Sequence, residues 1–259
     1  MLSPREELLA LLRTLNLSAM GEAVEATALR AAKEGLTHET FLLELARIEQ
    51  AAKIGRRTER LRKQSELLPG KTFRTLDLNR FDPAVRMQME RLQGGTFLKD
   101  AINVIAIGRP GAGKSHFASA LGHVLVELGC PVLFAPTAAL VQRLLAAKRD
   151  LRLPKELARL DRFECLILDD IGYVQHDRDE MEVLFTLLAE RYERKSVIIT
   201  TNLVFSEWDR IFKDPMTTMA AIDRVVHHSV VLDLMGVESY RAKAASTNKS
   251  GTAKTAMPA

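Results

Sequence analysis

Apolar residues near the start of the chain recur at three- and four-residue spacing, the period of a helix with one buried face. Leu8, Leu9, Leu11, Leu12 and Leu15 supply the first such face. Ahead of them, Ser3-Pro4-Arg5-Glu6 has the form of a capping box with proline at the first helical position. A second helix is predicted from Met20 to Lys33, stopping near Gly35. Thr37 is placed to cap a third, whose face holds Phe41, Leu42, Leu45 and Ile48. That pattern runs on to about Leu67 before Pro69-Gly70 ends it. These residues, 1–69, form a small all-α N-terminal domain in this reading.

From Ala101 the texture changes. Short apolar runs at Val104–Ile107, Val132–Phe134, Leu166–Leu168, Val197–Ile199 and Val230–Leu232 alternate with helical stretches. A run with no polar side is a strand buried on both faces. Strands alternating with helices predict βαβ units and an α/β fold, a parallel five-stranded sheet between helices. This core is assigned to 70–241. Residues 242–259 are small, polar and basic, bury too little apolar area to order themselves, and read as a flexible basic tail.

Chemistry enters at the end of the first strand. Gly108, Arg109, Pro110, Gly111, Ala112, Gly113, Lys114 and Ser115 match the phosphate-loop pattern G-x-x-x-x-G-K-[ST] in full, with a strand before and a helical pattern after. Gly111 and Gly113 let the backbone curl its N–H groups toward phosphate oxygens. The following helix adds its positive N-terminal end. Lys114 is a mobile charge for the β- and γ-phosphates of ATP, and the Ser115 hydroxyl is a ligand for Mg²⁺. His116 closes the segment and is grouped with the nucleotide-binding residues, though a packed or solvent-facing role suits it better than a catalytic one.

Phe163-Glu-Cys-Leu-Ile-Leu-Asp169-Asp170 is an apolar strand ending in two acids. Adjacent carboxylates there are costly unless something uses them. Beside a phosphate loop, Asp169 takes the Mg²⁺-orienting role and Asp170 the position that polarises the attacking water. Glutamate is usual at the second position, and aspartate is a methylene shorter. The other reading is a strand-terminal turn capped by the acids. Ser196-Val-Ile-Ile-Thr-Thr-Asn202 is a strand with a polar tip, where Asn202 is placed to hold the lytic water or touch the γ-phosphate, with Thr200 and Thr201 assisting. Threonine also favours strands and asparagine turns, so a plain structural role stays open.

Charge adds a second theme. The 259 residues carry a formal net charge of only +4, with 47% hydrophobic and 27% charged residues. The excess is concentrated. After Gln50 the third helix carries Lys53, Arg56, Arg57, Arg60, Arg62 and Lys63, with only Glu59 opposing them. That is either a solvated face or a stripe contacting nucleic-acid phosphates. Two cysteines, Cys130 and Cys165, abut apolar runs and read as buried thiols. The start lacks the apolar segment of a signal peptide, and no run is long enough to span a bilayer. The expected address is the cytoplasm, with no membrane partner.

Taken together these motifs resemble an AAA+ ATPase of the IstB/DnaC branch, and IstB more closely. The resemblance covers nearly the whole chain. It rests on Lys71-Thr72-Phe73, Gly108–His116, Leu166–Gly172, Thr200-Thr201-Asn202, Trp208 with Phe212-Lys-Asp, Ala221-Ile-Asp-Arg224-Val-Val-His-His and Gly236-Val-Glu-Ser-Tyr-Arg241. It implies a helper of a DNA transposase that assembles on double-stranded DNA as an ATP-dependent homo-oligomer, remodels it and recruits the transposase. It implies that Arg224 is a finger reaching a neighbouring subunit's γ-phosphate, with Arg210 its rival, and that Arg241 is a nucleotide sensor. An intrachain ion pair is the other reading of Arg224. Little chain follows the fifth strand, so no full AAA+ lid is expected.

Three rivals remain at this level. A DnaC-like helicase loader shares the core and differs in partner and preferred DNA form. A small-molecule kinase would need an acceptor pocket and arginines on a lid. A binding module would hold nucleotide without turning it over.

Overall fold

The computed structural model describes residues 3–173, 178–208 and 215–240. The chain packs as two units that divide inside the third helix, between Arg60 and Leu61.

The first unit contains α1 (Pro4–Thr14), α2 (Ser18–Glu34) and most of α3 (His38–Gln64). The expected capping box is present: Glu6 N–H donates to Ser3 Oγ and Ser3 N–H to Glu6 Oε2. Gly35 ends α2 in the left-handed conformation, φ 66°. Thr37 Oγ1 accepts from Thr40 N–H at the start of α3. The predicted apolar faces are only partly used. Leu12 and Leu45 are buried, whereas Leu8, Leu11, Leu15, Leu42 and Ile48 are exposed. Three helices of this length enclose few inward positions, so most of each face has nothing to pack against.

Among the described residues of this unit two buried positions are polar, Thr27 and Glu49. Glu49 accepts from Met20 N–H at 3.0 Å and from Arg56 at 2.8 Å. Met20 lies in the first turn of α2, whose N-cap residue Leu17 offers no side-chain bond. Glu49 therefore supplies the missing cap from another helix. That backbone bond, more than the Arg56 charge, holds its carboxyl below the ordinary value of 4.5.

The second unit is built on the predicted sheet. β1 (Asn103–Ile107), β2 (Val132–Pro136), β3 (Cys165–Asp169), β4 (Ser196–Thr201) and β5 (Ser229–Asp233) lie in the order β2-β3-β4-β1-β5, all parallel. Alternate residues of each strand enter opposite cores. Ile105 and Ile107 of β1 join the one under α6 (Thr137–Arg149), α7 (Leu153–Leu160), α8 (Arg178–Arg191) and α9 (Pro215–Val226). Val104 and Ala106 join the other, beneath α4 (Pro83–Leu92), α5 (Lys114–Glu127) and the segment around Leu67, Leu76 and Phe81. Among the described residues no helix is long and apolar enough to cross a membrane.

Candidate nucleotide site

β1 lies between β4 and β5, so the chain leaving its C-terminal end emerges mid-sheet, where a parallel α/β fold binds ligands. Gly108 through Gly113 form the turn, and Lys114 begins α5. Gly111 and Gly113 adopt φ 84° and 100°, backbone that an L-side chain resists. Lys114 is buried; its Nζ donates to the carbonyls of Gly108 at 2.7 Å and Arg109 at 3.2 Å. Arg109 and Pro110 are exposed at the outer edge of the loop, while Ala112 is buried beneath it.

Register brings the other strand tips level with this loop. Ala106 and Ile107 pair with Thr200 and Thr201, and Leu168 of β3 pairs with Ile199. The two acids are joined through one hydroxyl. Thr200 Oγ1 donates to Asp169 Oδ1 at 2.6 Å and accepts from Asp170 N–H at 2.9 Å. Thr137 Oγ1 donates to the Asp169 carbonyl at 2.8 Å. Asp170 adopts φ 58°, so its side chain leaves the strand from left-handed backbone. Asn202 follows β4, and its Oδ1 is a buried acceptor with no donor among the described residues. A Cβ on Gly172 would lie 2.6 Å from that oxygen. Asn202 is thus seated directly on the backbone that follows the acid pair.

The loop opens into a cleft of about 870 Å³, within the range of small-ligand sites. Its floor is Gly111, Gly113, Lys114 and Ser115, with Asp170 at one side. The opposite wall is the segment Leu68–Phe81. His116 ties that wall to α5. Its Nε2 donates to the Thr72 carbonyl at 3.1 Å and lies 3.0 Å from Thr75 Oγ1. Burial, more than the bond to Thr72, sets its pKa and lowers it, which keeps the ring neutral. Tyr240 also lines the cleft, and its N–H donates to the Gly111 carbonyl at 3.0 Å.

The remaining candidates lie elsewhere. Arg224 on α9 places its guanidinium 4.7 Å from the centroid of the Phe185 ring of α8 and is not among the residues lining the cleft. Arg210 and Arg241 lie outside the described residues, as does the tail 242–259. Lys53, Arg56, Arg57, Arg60, Arg62 and Lys63 are all exposed on α3. Glu59 is not the sole acid opposing them, because Arg56 pairs with Glu49 from before Gln50. A second basic surface had no motif to mark it: Arg143, Arg152, Lys155, Arg159 and Arg162 line a groove between α6 and α7, where Glu156 pairs with Arg143 and Arg159.

Ser115 and Asp169 are the donors a phosphate loop offers a divalent ion. Mg²⁺ in such sites takes one or two protein oxygens and completes its shell with phosphates and water. Among the described residues no cluster of three or more His, Cys, Asp or Glu forms a cage of its own. The donor set therefore fits an ion that arrives with nucleotide.

Comparison with known proteins agrees with this geometry. Residues 10–248 match the family of IstB-like ATP binding proteins. An insertion-sequence ATP-binding protein of Sinorhizobium fredii is 43% identical over 217 residues, covering 83% of this chain and 72% of that protein. The protein named for ATP binding in insertion sequence IS21 of Pseudomonas aeruginosa is 38% identical over 238 residues, 92% of this chain and 89% of that one. Among solved structures, the DnaC helicase loader superposes with a TM-score of 0.52 at 19% identity, covering 60% of this chain and 89% of that one. AMPPCP-bound DnaA from Aquifex aeolicus gives 0.56 at 14% identity, covering 75% and 58%. At these identities the two structures speak for the fold alone, a parallel sheet between helices.

Proposed function

The chain belongs to the IstB-like ATP-binding proteins and is an ATPase of that type, and on that premise we propose that it assembles on double-stranded DNA in an ATP-dependent way, remodels it and recruits or stimulates a transposase. The cytoplasm is the proposed setting. The observation that carries the reading is the incomplete cleft. Lys114, Ser115 and Asp170 line the cleft, with Asp169 and Asn202 behind them at the strand tips, whereas the arginine that the family resemblance offers to a γ-phosphate, Arg224, stands over Phe185 of α8. A finger supplied by a neighbouring subunit completes such a site and makes nucleotide occupancy control assembly.

Within one subunit the roles divide as follows. The loop N–H groups and the start of α5 hold the phosphates. Lys114 exchanges its loop carbonyls for β- and γ-phosphate oxygens. Ser115 and Asp169 would hold Mg²⁺, which would neutralise phosphate charge. Thr200 keeps the Asp169 carboxylate facing the loop, and Asp170 takes the proton of the attacking water that Asn202 helps to hold.

The exposed basic residues of α3 and those lining the α6–α7 groove support phosphate-directed DNA contact. Repetition in an oligomer turns a modest +4 per chain into a long positive track. Kinship with insertion-sequence proteins over most of both chains favours the transposition helper over the helicase loader, whose likeness is one of fold. The test is imaging and sedimentation of the protein on duplex DNA with ATP. Wild type should form salt-sensitive assemblies, and Lys114→Ala should lose them. Unchanged ATP-dependent assembly by that variant would sink the scheme.

A further inference from the structure

The segment after β5 has a role that none of the motifs describes. Leu234 N–H donates to the Ile107 carbonyl at 2.7 Å, and Leu234 packs so closely on Gly108 that a Cβ there would meet its own Cβ at 2.8 Å. Val237 N–H turns back to the Leu234 carbonyl, and Tyr240 N–H reaches the Gly111 carbonyl. The strand exit thus crosses the phosphate loop from its first glycine to its middle. Leu234 is fully buried at one end of this strap. Towards the other, Val237 is a half-buried contact with the core, and beyond it Glu238 and Tyr240 are exposed, Tyr240 by 65%.

Arg80 holds that far end. It is the last residue of a 3₁₀ turn, Leu78–Arg80, capped by Asp77, on the wall facing the loop. Its guanidinium donates to the Glu238 carbonyl and stands over the Tyr240 ring, 5.4 Å from the centroid. One cation therefore grips both a backbone oxygen and a ring face of the strap.

We propose that Arg80 is a positioning residue for ATP. It latches the strap Leu234–Tyr240 across the phosphate loop and so sets how long nucleotide stays bound. Through Tyr240 N–H it steadies Gly111, a loop residue whose own φ of 84° gives it no intrinsic preference for the bound shape. The inference rests on the nucleotide site alone and not on assembly with DNA.

The experiment uses the full chain without DNA, Mg²⁺ and a fluorescent ATP analogue, with dissociation followed by stopped flow. Wild-type binding shows that the site itself is sound, so failure of the site and failure of the latch are separable. Arg80→Met keeps the stem and removes the charge, and dissociation should quicken about tenfold. Arg80→Lys keeps a cation over the ring and a donor for Glu238, and should recover much of the residence time. Tyr240→Leu removes the ring and leaves the bond to Glu238, so it should quicken dissociation less than Arg80→Met, and the double variant should be no worse than Arg80→Met, which already frees the strap. A merely structural role would lower the melting temperature of the nucleotide-free protein and leave residence time alone. Wild-type dissociation from Arg80→Met, no recovery with Arg80→Lys, or effects that simply add would each overturn the proposal. If Tyr240→Leu does not fold, the two Arg80 variants still decide.

Discussion

Thr200 makes one unit of two acids that the sequence presents only as neighbours. Its hydroxyl donates its proton to Asp169 and accepts from Asp170 N–H, so it holds the carboxylate of the first acid and the backbone of the second. This also bears on the short side chain at Asp170. Left-handed backbone costs an ordinary L-residue about 1–2 kcal/mol, and aspartate is among the few that adopt it readily. On that backbone Asp170 is one of the residues lining the cleft. Removing the Thr200 hydroxyl with Thr200→Val should lower kcat for ATP about tenfold, the loss of roughly 1.5 kcal/mol from a bond to a charged group, with KM little moved. Gly172→Ala should act on the same step by displacing Asn202, because the added methyl would meet its Oδ1. Steady-state turnover checks both, and wild-type kcat in either variant would remove that residue from the catalytic account. The sequence marks Asp169, Asp170 and Asn202 because each breaks an apolar strand pattern with a polar tip. It does not mark the Thr200 bridge or the Arg80 grip on Tyr240, because a contact between distant segments leaves no periodicity behind.

At the scale of elements, the five strands were legible because each is an unbroken apolar run with cores on both sides, as the alternation of Val104 and Ala106 against Ile105 and Ile107 makes plain. The N-terminal helices were legible as helices and less so as a packed unit. Period alone cannot say which of Leu8, Leu11, Leu12 and Leu15 faces inward, and only Leu12 is buried. Nor does it give a helix that is capped by another. Glu49 does this for α2 through Met20 N–H, and the sign of its pH dependence follows. Its folded pKa lies below 4.5, so its contribution is complete above the unfolded value and disappears as pH falls through the folded one. Glu49→Gln should therefore melt at a lower temperature than wild type at pH 7. The gap between the two should shrink as the solution is acidified past pH 4.5. Thermal unfolding followed by circular dichroism checks this, and a gap that stays constant into acid would assign the effect to something other than the carboxylate.

For the whole molecule, a site divided between subunits has a signature no single chain can give. Lys114→Ala subunits lack the phosphate-binding half but keep Arg224, and Arg224→Ala subunits have the reverse. Each alone should be inactive, while an equal mixture should regain roughly a quarter of wild-type ATP turnover, the chance that a random neighbouring pair brings both intact halves together. No recovery on mixing would rule out Arg224 as a finger acting on a neighbouring subunit's nucleotide. The strand tips have another consequence. Lys114, Asp169 and Asn202 stand far apart in sequence and meet only when β1, β3 and β4 lie side by side. An unfolded chain offers ATP nothing comparable, so the nucleotide is also a folding ligand. At a hundred times its dissociation constant it adds about 2.7 kcal/mol to the native state, a large share of a typical domain's margin. A protease that cuts only the opened chain should therefore digest the protein more slowly when ATP is present than when it is absent.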